Sequence, residues 1–166
     1  MNFCHFTNSS NIENIKEEGL SPPDNPGEVE IFLESQRPES VEDIPNRQES
    51  IFMWATSCEE AVQFEDTALE IDSSKIPEDC KCAIGSNSEP GAIKDLIESG
   101  HYCGETGAVA FAENYWEYDV APCDIDECNE KRDEINTNLP IYERGVEPEI
   151  FCECTIPPEA IDFTDR

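Results

Sequence analysis

The sequence predicts an α+β fold, and three observations carry that expectation. Alternating or continuous apolar runs of strand length recur at Asn2–Thr7, Ser50–Ala55, Ala68–Ile71 and Glu149–Ile156. Helix-compatible segments fall between them without the regular alternation of a doubly wound sheet. Clusters such as Ile51-Phe52-Met53-Trp54 and Ile150-Phe151 supply buried-strand material that a disordered chain lacks. A length of 166 residues suits one ordinary domain with a real core, assigned to the whole span 1–166.

In chain order, Asn2–Thr7 reads as a short strand with Phe3, His5 and Thr7 on one face and Cys4 and Phe6 on the other. Ser9 or Ser10 caps a helix through Glu18, with Ile12 and Ile15 inward and Gly19 as its stop. Leu20–Gly27, with three prolines, is a loop. Ile31–Leu33 is expected as a brief strand, and Ser40–Ile44 as a helical turn ending before Pro45. Ser50–Ala55 is the central strand, and Thr56-Ser57 leads into a helix over Glu59–Glu65 that packs through Ala61, Val62 and Phe64. Ala68–Ile71 is a further strand, and Cys80–Ile84 extends the sheet.

Ser86–Gly91 is a flexible loop by composition, and Ile93–Ser99 is helical. Gly100–Ala112 carries no decisive pattern, while Glu113–Tyr118 continues a helix. Cys123–Asn138 reads as a charged insertion. Glu149–Ile156 is a strand closed by Pro157-Pro158.

Charge is the extreme feature: 39 acidic residues against 10 basic ones give a formal net charge of −29. The acids are scattered along the chain rather than gathered in a tail. Adaptation to a salt-rich cytoplasm leads the readings, because salt screens self-repulsion. Imitation of nucleic acid and ordinary pairing with basic partners are the alternatives. Nucleic-acid binding through a basic patch is excluded, since no such patch exists. No apolar run approaches the roughly 18 residues that cross a bilayer, so no membrane association is expected. The N-terminus lacks a basic flank before an apolar stretch, and the expected location is cytoplasmic.

Nine cysteines, an odd count without an export signal, favour reduced thiols. Cys80-x-Cys82 and Cys152-x-Cys154 lack the usual two-residue zinc-knuckle spacing, and no metal is assigned. A thiol or metal site on these four requires their strands to be neighbours.

The pattern Phe3-Cys4-His5-Phe6-Thr7, followed by Asn11-Ile12-x-x-Ile15-x-x-x-Gly19-Leu20, resembles the ADP-ribosyltransferase superfamily. The likeness is to the DarT-type enzymes that modify DNA and to their relatives. Ser50–Ser57, with Ala61 and Phe64, resembles the family's second strand and helix, and Ala68–Asp72 its next strand. Glu147–Cys152 and Ile156–Ile161 resemble the catalytic-glutamate strand and the segment after it. Residues from about 85 to 146 match poorly, apart from Tyr115-Trp116.

The resemblance implies split antiparallel β-sheets with short flanking helices, and NAD as substrate. Glu149 takes the catalytic place, with Glu147 the competing register. Arg47 is a candidate for a phosphate or the reacting ribose. His5 would bond the adenosine-side ribose and Thr7 would support that wall. Phe52, Trp54 or Tyr115 would flank nicotinamide.

The expected function is mono-ADP-ribosyl transfer from NAD to DNA, a protein or a small molecule, with an antitoxin or other protein as a further partner. The alternative is a catalytically inactive relative that serves as an interaction protein or an acidic nucleic-acid mimic. The related RNA 2′-phosphotransferases need several arginines to grip phosphate. This chain has Arg37, Arg47, Arg132, Arg144 and Arg166, none beside the His5 motif.

Overall fold

Strand β1 (Asn2–Thr7) opens the chain with Phe3 and Cys4 both buried, on opposite faces. The computed structural model describes residues 2–59, 67–99, 104–128, 131 and 148–163. Asn8, rather than Ser9 or Ser10, caps the next turn: its side chain accepts from the Ser10 N–H at 2.9 Å. Helix α1 (Ile12–Glu18) buries Ile15 and ends at Gly19. Gly19 has φ 82°, and the Ile156 carbonyl lies where a Cβ would stand, so the stop is specific to glycine. Leu20 and Ile156 then exchange backbone hydrogen bonds of 2.9 and 2.8 Å.

The expected strand at Ile31–Leu33 is instead part of helix α2 (Glu28–Ser35). Val29, Phe32 and Leu33 recur at helical spacing and turn one face to the core. No helix forms at Ser40–Ile44, where the Arg37 guanidinium donates to the carbonyls of Val41, Ile44 and Pro45. Strands β2 (Ile51–Trp54), β3 (Thr67–Asp72) and β4 (Lys81–Gly85) follow the expected order.

Helix α3 (Ser88–Glu98) begins inside the segment expected as a loop. Pro90 sits in its first turn, where a missing N–H costs nothing. Helix α4 (Gly104–Asn114) runs into a turn of π-helix at Tyr115–Asp119. Strand β5 (Val120–Cys123) has no counterpart in the sequence reading, and β6 (Glu149–Glu153) is shorter than expected. Strand β7 (Ile161–Asp162) is the last element among the described residues. The helix expected at Glu59–Glu65 and most of the charged insertion lie outside the described residues.

The strands form one antiparallel seven-stranded sheet in the order β5-β4-β6-β2-β1-β3-β7. Together with the four α-helices among the described residues it gives an α+β fold; the expected split into separate sheets is corrected, for these residues, to a single sheet with a seam. At that seam β1 and β2 share one pair, Cys4↔Trp54, whereas β2 and β6 share four pairs and β1 and β3 share six. One face of the sheet buries Phe3, Met53, Ile71, Ile84 and Ile150 against α1 and the C-terminal turn. The other buries Ala83 and Phe151 beneath Leu33, Ile93, Ala112, Tyr115 and Trp116.

The expectation of reduced thiols is corrected for six of the nine cysteines. Disulfides join Cys4–Cys58, Cys80–Cys154 and Cys82–Cys152. Sequence spacing could not show that β4 and β6 run side by side, with Cys82 opposite Cys152. Among the described residues, no helix is long and apolar enough to cross a membrane.

Candidate functional site

Where the seam opens, the sheet and helices α2 and α3 enclose a cavity of about 630 Å³. The strands contribute His5, Phe6, Phe52, Met53, Trp54 and Glu149. Gly27, Glu28, Val29 and Glu30 come from the start of α2, while Asn87, Pro90, Gly91, Lys94, Ile97 and Glu98 come from α3 and its approach. A strand bonded on both sides holds Glu149, because β6 lies between β2 and β4. Its partners are Trp54 on β2 and Gly85 on β4.

His5 Nδ1 lies 2.8 Å from the Phe52 carbonyl oxygen. A carbonyl only accepts, so Nδ1 carries the proton and Nε2 of the neutral ring is an acceptor. Burial pushes the His5 pKa below its ordinary value, while the Phe52 hydrogen bond pulls weakly the other way. The ring is therefore neutral at pH 7, and suited to receiving a hydroxyl proton.

Among the described residues Arg47 is the most deeply buried cation, at 1% exposure. It starts a short turn, Arg47–Glu49, that Asn46 caps by accepting from the Gln48 N–H, and the Arg47 N–H donates to Glu34 at 2.7 Å. Nη1 of the guanidinium donates to Glu149 Oε1 at 2.5 Å and to the Tyr115 hydroxyl at 2.5 Å. Nη2 reaches Glu30 at 3.5 Å. The guanidinium carbon lies 4.7, 4.9 and 5.1 Å from the ring centres of Phe52, Phe151 and Tyr115. Such cation–aromatic contacts strengthen where water is excluded. Among the described residues Nε has no hydrogen-bond partner, although it is buried.

Burial opposes the charge on Arg47, but Glu149, Tyr115 and Glu30 outweigh it and hold its pKa above the ordinary value. The same desolvation raises Glu149, and Arg47 only partly offsets the rise. Burial likewise pushes the Tyr115 phenol upward, so that it stays protonated. The hydroxyl reaches Arg47 over Gly85, where a Cβ would stand 2.8 Å from that oxygen.

The structure thus brings His5, Arg47, Phe52, Trp54 and Glu149 to one cavity. Thr7 is not among the residues lining it; its hydroxyl accepts from Asn11 Nδ2 at 3.2 Å and ties β1 to the first turn. Tyr115 is fully buried beneath the cavity and acts through Arg47 rather than as a wall. Glu147 lies outside the described residues. Glu30 and Lys94 were not among the expected site residues: Glu30 directly precedes the segment expected as a strand, and Lys94, in a segment rightly expected as helical, carried no signal for a site. The helical recurrence of Val29, Phe32 and Leu33 was the available signal for the first.

Four carboxylates, Glu28, Glu30, Glu98 and Glu149, face two cations, Arg47 and Lys94, around this cavity. Its apolar walls suit a flat heterocycle, and its acidic balance disfavours a phosphate at low salt. No protein-family model matches the chain, nor does any curated protein or solved structure.

Proposed function

We propose that this cavity binds NAD and that the protein transfers ADP-ribose from it to an acceptor. The observation that carries this reading is the convergence of His5 and Glu149, from opposite ends of the chain, on one cavity walled by Phe52 and Trp54. Nicotinamide stacks on those aromatic faces. His5 Nε2 accepts a hydroxyl of the adenosine-side ribose, and the buried Arg47 Nε is a donor for a ribose or phosphate oxygen. The nicotinamide–ribose bond breaks with its electron pair leaving on nicotinamide. Glu149 stabilises the positive charge that develops on the ribose, and the acceptor attacks that carbon and loses its proton. DNA, protein and small-molecule acceptors all fit this chemistry. The scattered acids fit a salt-rich cytoplasm, where screening weakens repulsion between the cavity and pyrophosphate.

A second reading, a non-catalytic relative that serves in protein interaction, is favoured by the Arg47–Glu149 ion pair, which occupies the carboxylate. One experiment separates the two: incubation with labelled NAD in molar potassium chloride, comparing wild type with Glu149→Gln. The enzyme reading expects nicotinamide release by wild type and a fall of at least about 100-fold in the variant, the scale of losing one electrostatic stabiliser. Binding of NAD without release supports the non-catalytic relative. Neither binding nor release at any salt concentration overturns the NAD-dependent reading.

A further inference from the structure

The face of the sheet opposite this cavity carries a feature that the NAD reading does not use. On β4 and β6 the register pairs Cys82 with Cys152, and Lys81 with Glu153 beside them. The same register sets Cys80 opposite Cys154, so both Cys-x-Cys pairs lie on one face. Three of their four sulfurs form a single group, and the fourth, that of Cys154, is joined to it through Cys80. Cys80 is bonded to Cys154 and Cys82 to Cys152, and the sulfurs of Cys80 and Cys82, which belong to different disulfides, are 3.6 Å apart. Those of Cys80, Cys82 and Cys152 all lie within 4.8 Å of one another.

Two observations separate this group from a pair of structural staples. The disulfides close loops of almost the same span, with sequence separations of 70 and 74. Once the first is made, the second closes only a residual ring across two paired strands. In the loop-entropy account it therefore adds little stability. Independent staples also have no need for their sulfurs to converge. A tetrahedral thiolate site does: zinc–sulfur bonds of about 2.3 Å place ligand sulfurs roughly 3.8 Å apart. Cys82 and Cys152 are buried, while Cys80 and Cys154 are half-buried, which leaves a path for an ion from solvent.

We propose that, when reduced, Cys80, Cys82, Cys152 and Cys154 form a binding site for one thiophilic divalent cation of the zinc type. Reduction by a phosphine breaks both disulfides. Each takes two electrons from the phosphine and two protons, while water supplies the oxygen of the phosphine oxide. The cation then displaces four thiol protons and binds four thiolates, so affinity falls as pH falls. Soft sulfur ligands select zinc, cobalt or iron over magnesium and calcium. The neighbouring Cys123 and Cys128, whose sulfurs are 2.9 Å apart, stand outside this set of four.

The test is titration of the phosphine-reduced protein with cobalt(II), followed by absorption and by circular dichroism. One equivalent should produce sulfur-to-cobalt charge transfer and the visible bands of a tetrahedral tetrathiolate, and equimolar zinc should bleach them. Cys123→Ser/Cys128→Ser should leave the bands unchanged, and Cys80→Ser/Cys154→Ser should abolish the tetrathiolate spectrum. Absence of these bands in the reduced wild type, their survival in Cys80→Ser/Cys154→Ser, or their loss in Cys123→Ser/Cys128→Ser each overturns the site. Reduced protein that loses its fold and does not regain it with cobalt does the same. The outcome is independent of NAD binding, because Glu149 and Cys152 project from opposite faces of β6.

Discussion

Burial drives both His5 and Glu149 towards their neutral forms, and the consequences for stability run in opposite directions. The His5 pKa is below 6.5 in the folded protein, so between the folded value and 6.5 the unfolded chain binds more protons. Its contribution is therefore fully present above pH 6.5 and is lost as pH falls through that window. Glu149 lies above 4.5, so its contribution is present below that value and fades as pH rises through the folded value. Urea denaturation between pH 8 and pH 5 should show a His5 component in which stability falls on acidification, with a slope of up to about 1.4 kcal/mol per pH unit. His5→Asn should flatten that part of the profile, and an unchanged slope would show that His5 titrates normally. His5, Phe52, Trp54 and Glu149 could be singled out only because their segments resemble family motifs, and the cavity they share is seen only in the fold. Glu30 could not, since a lone acid among 39 carries no signal until its helix is known.

Among the elements, the segment between α2 and β2 shows how one side chain can replace regular structure. Arg37 donates to three backbone carbonyls there, pairs with Glu34 at 3.3 Å, and lays its guanidinium 5.1 Å from the Trp116 ring centre. Trp116 in turn donates to the Leu33 carbonyl at 2.9 Å. Arg37→Met leaves those carbonyls without their donor, and the expected cost is about 2–4 kcal/mol, since several hydrogen bonds to a charged group are lost together. Hydrogen exchange should show the loss first in the amides of residues 41–50, next to Arg47. Uniform loss across the sheet would contradict a local clamp. The strand framework was readable because β1, β2, β3, β4 and β6 are short apolar runs. Helix α2 was not, because its helical repeat hides inside an apolar triplet, and of α3 only the second half, from Ile93, was readable, since it begins among serine, asparagine, proline and glycine. Strand β5 contains Pro122 and gains its place only by pairing with β4.

For the whole molecule, a net charge of −29 makes self-repulsion the term most open to control by solvent. Raising ionic strength from 0.1 M to 1 M shortens the screening length from about 10 Å to about 3 Å. The expected result is a rise in Tm. A gain of about 3 kcal/mol corresponds to roughly 10 °C for a chain of this size. Calorimetry in potassium chloride checks it, and a flat or falling Tm would remove repulsion from the account. If the cavity takes NAD as proposed, its apparent KM should fall over the same range, since four carboxylates and two cations surround the cavity.

The place of β6 between β4 and β2 also dictates when this protein can be completed during synthesis. Before Glu149 leaves the ribosome, the strands can form only two unjoined sets, β5–β4 and β2–β1–β3. Each set then presents a bare edge where β6 belongs, and bare edges invite pairing between nascent chains. A ribosome paused just upstream of that strand would hold the chain at its most aggregation-prone stage. Arrival of five residues, Glu149–Glu153, closes both edges in one step.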